Sequence, residues 1–263
     1  MEKVKKGNLM RRMLFKALPL ESYLRVLSKS YFVSYNSGVL KKNRLYAYPY
    51  FLEKIIKKDD VCIDIGANLG YISVVLSKQV GDKGKVYAVE PVKPMLAVLK
   101  KNTKGMKNVE ILPYALGSEN KPIKLGNDSV ERDGFIASGS HFVLDKNTAQ
   151  TETADVEFDA EMRIGTELFA DLDRLDFIKC DIEGYEIIVL PQLEPVIMKF
   201  KPTVLVECDG ENRIKLMQFF KERGFEALVL DGEGKLHPAK EDETWDILFV
   251  PEEQKGRVAE YRA

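Results

Sequence analysis

Seven residues, Asp64-Ile65-Gly66-Ala67-Asn68-Leu69-Gly70, restrict the fold more than any other stretch of this chain. Before them runs Asp60-Val61-Cys62-Ile63, short, apolar and β-branched, the pattern of a strand buried inside a parallel sheet. After them, Tyr71 to Lys78 spaces its apolar residues as a helix does. The glycines therefore sit on a strand-to-helix turn, beyond the carboxyl end of a strand, where open α/β sheets bind nucleotide-like ligands. Gly66 can take a positive φ and lets a ligand approach the backbone; Gly70 lets the helix pack close to the strand. Twenty residues past Gly70, Glu90 ends a second strand, Lys85-Val86-Tyr87-Ala88-Val89. A carboxylate there accepts hydrogen bonds from both ribose hydroxyls of an adenosine.

Dinucleotide sites use G-x-G-x-x-G, whose second glycine makes room for a pyrophosphate. Here the spacing is G-x-N-x-G, and Asn68 places a side chain where that room is needed. Asp64 adds a carboxylate that is unfavourable beside phosphates and suited to an ammonium. S-adenosylmethionine has an adenosine, an α-amino group and no phosphate, so the stretch fits it better than NAD. The plainer alternative is an ordinary tight turn with a solvated Glu90.

At 263 residues the chain can bury a sizeable core, and its net charge of −1 gives no reason to expect nucleic acid. Cys62, Cys180 and Cys208 all fall in predicted strands and form no C-x-x-C pair. They read as buried thiols of a reduced, cytoplasmic protein. No apolar run reaches the ~18 residues of a membrane span, and no signal-peptide pattern is present.

Residues 1–50 form an extension. Lys3, Lys5, Lys6, Arg11, Arg12 and Lys16 interleave with Met10, Met13, Leu14 and Phe15. Such a helix can lie on an anionic membrane, although packing an apolar stripe on the main domain is the favoured reading. Tyr23, Tyr31, Phe32, Tyr35, Tyr46, Tyr48 and Tyr50 follow, suited to capping the sheet, lining a cleft or packing a core. Residues 51–263 read as the main domain, opening with a short helix from Phe51 to Lys58. Strands and helices then alternate, which predicts a mostly parallel, seven-stranded sheet with helices on both faces. The strands are Val61–Asp64, Lys85–Glu90, Val109–Leu112, Leu175–Asp181, Thr203–Glu207, Phe225–Leu230 and Trp245–Val250. The last two read as an antiparallel pair around Asp231-Gly232-Glu233-Gly234. Residues 118–163 break the rhythm, with short β-like pieces at Pro122–Leu125, Phe142–Leu144 and Asp155–Phe158. They read as an insertion over the carboxyl edge of the sheet that helps form an acceptor pocket; a surface hairpin is the alternative.

Strand four ends in Lys179-Cys180-Asp181-Ile182-Glu183-Gly184-Tyr185-Glu186. In the usual order this strand lies beside strand one, which puts Asp181 next to Asp64. Asp181 and Glu183 can act as a general base, as ligands of a hard divalent cation or as hydrogen-bond anchors, with Asp181 the better base candidate. They can also merely cap a helix beginning at Gly184. The Asn/Asp-Pro-Pro-aromatic turn of many N-methylating enzymes is absent, which favours a small-molecule hydroxyl as acceptor. Lys179 lies among Phe177, Ile178 and Cys180 and needs a carboxylate partner, for which Asp64 and Glu207 are candidates.

Together these residues resemble the FkbM family of S-adenosylmethionine-dependent methyltransferases. The matching pieces are the 64–70 stretch, Val89-Glu90-Pro91, Tyr114-Ala115-Leu116-Gly117, the 178–186 stretch and Pro202-Thr203-Val204-Leu205-Val206-Glu207, covering about residues 58 to 210. The resemblance implies a Rossmann-like class I methyltransferase fold and, most often, O-methylation of a sugar, polyketide or other metabolite hydroxyl. It implies that Asp64, Gly66, Asn68, Gly70, Glu90, Ala115 and Leu116 bind the cofactor and that Asp181 and Glu183 serve catalysis. Where the family commonly has Thr-Leu-Asp, this chain has Ile164-Gly165-Thr166, with Thr166 available to cap the helix as Asp would.

Two rival readings remain. An NAD-dependent oxidoreductase would want G-x-G-x-x-G and often Tyr-x-x-x-Lys; Tyr50–Lys54 has that spacing but precedes the glycine turn. A non-catalytic cofactor-binding or membrane-surface protein would use the basic N-terminal segment.

Overall fold

The computed structural model describes residues 2–139, 141–144, 154–243 and 246–263. Its strands are β1 (Val61–Ile65), β2 (Lys85–Val89), β3 (Val109–Leu112), β4 (Ala115–Gly117), β5 (Lys121–Asn127), β6 (His141–Val143), β7 (Val156–Ile164), β8 (Phe177–Cys180), β9 (Thr203–Val206), β10 (Phe225–Leu230), β11 (Leu236–Pro238) and β12 (Ile247–Pro251). The main sheet runs β11-β10-β12-β9-β8-β1-β2-β3. From β9 to β3 every pair is parallel, whereas β12, β10 and β11 join antiparallel.

Alternation along the central strands sorts side chains to two faces. Ile63, Ile65, Ile178, Cys180, Val204 and Val206 pack with Val189, Leu190, Ile197 and Phe220 from the helices Glu186–Gln192, Glu194–Phe200 and Gly210–Glu222. Cys62, Val86, Phe177 and Leu205 pack the other way, against Phe51, Leu52, Ile55, Val75 and Leu76 from the helices Ala47–Ile55 and Tyr71–Val80. Both faces being covered explains why β8 and β9 are buried at every residue. The chain leaves β1 toward β2 on one side and returns to β8 on the other. This reversal opens a crevice beyond the carboxyl ends of β1 and β8.

The sheet has eight strands where seven were expected. The addition is β11, which pairs with β10 across Asp231–Gly234, so that turn makes the β10–β11 hairpin. β12 instead inserts between β10 and β9. A three-residue edge strand ending in Pro238 carries too little periodicity to be seen in sequence. Trp245, expected to start the last strand, lies outside the described residues.

The N-terminal aromatics pack a core. Tyr23, Tyr35 and Tyr48 are buried, the Tyr31 ring stacks on Tyr71 at 3.9 Å, and the Tyr48 hydroxyl donates to the Asp246 carbonyl at 2.7 Å. Residues 118–163 contribute to a second sheet of order β4-β7-β5-β6, in which β5 and β7 pair antiparallel over seven residues. The helix after β7 spans Gly165–Leu168, with Ile164 at its N-cap and no side-chain cap. Thr166 thus lies inside the helix rather than capping it, and the Ile164 N–H is satisfied by Asn120 Oδ1 at 2.9 Å.

Candidate active site

The turn after β1 is held by its neighbour strand. Gly66 N and Ala67 N donate to the Val89 carbonyl at 3.0 and 2.9 Å. Gly66 has φ +75°, and a Cβ there would lie 2.0 Å from the Asp181 carbonyl oxygen, so only glycine lets this turn close onto the end of β8. Glu90 is buried, and its carboxylate accepts from Asn68 N and Val92 N, both at 2.8 Å. Each oxygen keeps a lone pair for a further donor. Burial pushes Glu90 up to about 7, against the pull of those two N–H groups.

A cavity of about 670 Å³, counting the part open to solvent, lies over this turn. Gly66, Asn68, Glu90, Ala115, Leu116, Asp181 and Glu183 all line it, together with Val92, Tyr114, Ile182 and Tyr185. Among the described lining residues there is no lysine or arginine; the charged groups are the carboxylates of Glu90, Asp181 and Glu183. Two of the expected cofactor residues, Asp64 and Gly70, do not line the cavity. Asp64 is wholly buried, accepts from Ser73 Oγ at 2.5 Å and faces Lys179. Gly70 caps the helix Tyr71–Val80 at φ +86°, where an added Cβ would meet Leu99 at 2.7 Å. Both hold the turn in place from behind.

Lys179 Nζ lies 3.0 Å from Asp181 Oδ2 and 3.7 Å from Asp64 Oδ1, and donates to the Gly66 carbonyl at 3.0 Å. Burial works to lower its pKa, but the two carboxylates outweigh burial and hold it above its ordinary value. Of the two partners expected, Asp64 is present and Glu207 is not. Glu207 instead hydrogen-bonds Asp181, whose charge, followed by desolvation, pushes Glu207 up to about 9.

The loop after β8 also differs from the helix-capping alternative. The helix starts at Glu186, and it is Glu186 Oε1 that takes the Ile182 N–H, at 2.7 Å. Asp181 and Glu183 are left to face the cavity. Glu183 has φ +53°, a backbone conformation that costs a non-glycine residue energy and recurs at functional sites. Desolvation, then the charge of Asp181, push it up to about 7.

The sequence reading set residues 118–163 over this edge but named no lining side chain among them. Leu125, Ser138, Gly139, His141 and Val143, all from within 118–163, line it. A Cβ on Gly139 would lie 3.6 Å from Glu183 Oε1, so this loop stands directly opposite the catalytic candidates. His141 Nδ1 lies 3.1 Å from the Ser138 carbonyl and Nε2 lies 3.4 Å from Asn127 Nδ2. Asn127 is oriented by donation from Ser129 N and Ser129 Oγ to its Oδ1, so His141 donates through Nδ1 and accepts through Nε2. Burial pushes it down to about 4, which keeps the ring neutral. A histidine just before the β-like piece Phe142–Leu144 was the one available signal, since the chain has only two.

The set of acceptors fits a ligand with a ribose diol and a cationic end. Glu90 offers acceptors, and Asn68 Oδ1 is buried at the cavity wall with no hydrogen-bond partner among the described residues. Residues 64–227, more than half of the chain, match the model of the Methyltransferase FkbM domain. A protein-L-isoaspartate O-methyltransferase of Methanosarcina mazei is 46% identical over 52 residues, 19% of this chain and 21% of that protein; the chain thus matches about a fifth of that relative's length. The structure of methyltransferase FkbM from Methylobacillus flagellatus KT is similar at a TM-score of 0.45, with 16% identity over 74% of this chain and 44% of that one. Fibrillarin from Aeropyrum pernix, in complex with natively bound S-adenosyl-L-methionine, is similar at a TM-score of 0.43, with 10% identity over 74% of this chain and 67% of that one. With a Rossmann-like class I methyltransferase fold and a cavity suited to S-adenosylmethionine as cofactor, the chain belongs to the Methyltransferase FkbM domain family.

Proposed function

We propose that this chain transfers the methyl group of S-adenosylmethionine to a hydroxyl of a small molecule, of the sugar or polyketide type. The observation that carries the cofactor half is the lining of the cavity. Three carboxylates and no described lysine or arginine disfavour a pyrophosphate and favour a sulfonium and an ammonium. This also weighs against the nicotinamide dinucleotide reading. Bound S-adenosylmethionine supplies an electrophilic methyl group on sulfur. Glu90 would hold its ribose, with Asn68 and Gly66 beside it.

The residues of β8 and the following loop support the hydroxyl half. An alcohol oxygen that gains a methyl group must give up its proton, and a general base works best with a pKa near the working pH. Glu183, near 7 and open to the cavity, meets that condition. Asp181, the better candidate in the sequence reading, is engaged by Lys179 and by Glu207. The preferred assignment is therefore reversed: Glu183 takes the proton, and Asp181 fixes Lys179 and the acceptor edge. The insertion, with Ser138, Gly139 and neutral His141, closes the other side against water and gives the acceptor its shape.

Calorimetry with S-adenosylmethionine and NAD, followed by incubation with methyl-labelled cofactor and metabolite extracts, tests the reading. Binding of S-adenosylmethionine alone, with label in base-stable ethers, is expected. Binding of NAD alone would remove the proposal, and label found only on nitrogen would remove its hydroxyl half.

A further inference from the structure

The helix Glu2–Ala17 carries more apolar side chains than its docked face buries. One face is docked: Leu14 and Phe15 pack into the cluster around Tyr23 and Phe135, the Arg11 guanidinium lies 5.7 Å from the Phe135 ring centre, and Arg12 Nε donates to the Asp133 carbonyl at 2.7 Å. This is the packing the sequence reading favoured, and it accounts for one apolar stripe. It does not account for Leu9, Met10 and Met13, which are 54, 60 and 61% exposed. At roughly 100° per residue these three fall within one arc of about 100°, which faces away from Phe15 and has Leu14 at its border with the docked side.

Single exposed apolar residues are ordinary, but three adjacent ones on a helix call for a partner. The charge around them states its chemistry. Residues 1–17 hold six lysines and arginines against Glu2 alone, while the whole chain is at −1, so positive charge is gathered on this helix and the remainder is acidic. Apolar side chains set among basic ones match an anionic lipid surface, where the first enter the acyl boundary and the second meet the headgroups. No helix among the described residues is long and apolar enough to cross a membrane, and the contact is one of adsorption.

We propose that the Leu9–Met10–Met13 face of this helix docks the protein onto an anionic bilayer. The helix is tied through Arg11 and Arg12 to Phe135 and Asp133, close in sequence to Ser138 and Gly139 of the cavity roof. Docking would thus bring the roof near the membrane.

Co-sedimentation of the full chain with phosphatidylcholine vesicles, with and without phosphatidylserine, tests this. Binding only to the serine-lipid vesicles, weakening as salt rises, is expected. Leu9→Ser/Met10→Ser/Met13→Ser should lose about tenfold or more in vesicle binding while circular dichroism and S-adenosylmethionine affinity stay unchanged. Lys16→Glu should weaken binding at low salt. Absence of binding, equal binding to neutral vesicles, or undiminished binding by the triple variant would overturn the proposal. So would a concentration-dependent dimer that the triple substitution abolishes without vesicle binding, since the face would then belong to a second copy.

Discussion

Lys179 Nζ lies 3.0 Å from Asp181 Oδ2, two residues further along the same chain at the edge of the cavity. The same ammonium faces Asp64, which is wholly buried and otherwise held by Ser73. One lysine thus joins the back of the glycine turn to the edge of the cavity.

Lys179→Met should therefore destabilise the fold by roughly 3–5 kcal/mol at neutral pH, because it strands a buried carboxylate. Burial already raises the Asp64 pKa, and Lys179 is the main group opposing that rise. Without Lys179 the folded state holds a proton on Asp64 more tightly than the unfolded state does. The variant should regain stability as pH falls from above the raised value toward the ordinary carboxylate range. Lys179 itself, held above its ordinary value, stays charged throughout this window in the wild type. Urea titrations at a series of pH values check this; a loss that does not vary with pH would leave packing alone as its cause.

Cofactor affinity should follow the ionisation of Glu90. With its pKa raised to about 7, the carboxylate proposed to accept the ribose hydroxyls forms as pH rises through neutrality. Calorimetric affinity for S-adenosylmethionine should increase between pH 6 and 8, about one unit on either side of that value. Glu90→Ala should cost at least about tenfold in affinity, since each charged hydrogen bond contributes about 1.5–3 kcal/mol. It should also lower Tm modestly, because Asn68 N and Val92 N lose their acceptor. Unchanged affinity would reject the assignment.

Glu183→Gln should reduce turnover by about 10²–10⁴-fold and leave cofactor affinity within a few-fold. The wild-type rate should fall as pH drops below about 7, where Glu183 becomes protonated, and the residual rate of the variant should lack that limb. Asp181→Asn should reduce turnover too, but with the acidic limb retained. If chelation abolishes the wild-type activity and Mg²⁺ restores it, the two carboxylates are metal ligands instead.

The cavity roof should be sensitive to acid. The His141 pKa is pushed down to about 4 from an ordinary value near 6.5, so the unfolded state takes up its proton first. Stability contributed by neutral His141 is present above about 6.5 and is lost as pH falls toward 4. Asn127→Ala removes the donor to Ala137 O and the acceptor of Ser129 N, and should destabilise by about 1–3 kcal/mol. Hydrogen exchange should quicken at the Ala137 amide, which Ser129 Oγ now holds at 2.8 Å. Unaltered protection there would deny Asn127 its organising place.

Much of this molecule is written locally. The β-branched run before Gly66, the glycine turn and the helical spacing after it are set by neighbours within a few residues, and they determine β1, the turn and the position of Glu90 at the end of β2. The carboxylates Asp181 and Glu183 were visible for the same reason, because they follow an apolar strand at its end. What the sequence left open was decided by contacts between distant segments. Asp64 looks like a ligand residue in the motif, yet β8 and the helix after the turn enclose it completely. β11 exists only because β10 offers it an edge. His141 owes its neutral state to burial, against the opposing pull of the Ser138 carbonyl, and it stands at the cavity wall on β6, whose place is set by pairing with β5. Burial and pairing are properties of assembled surfaces, and no window of sequence contains both partners.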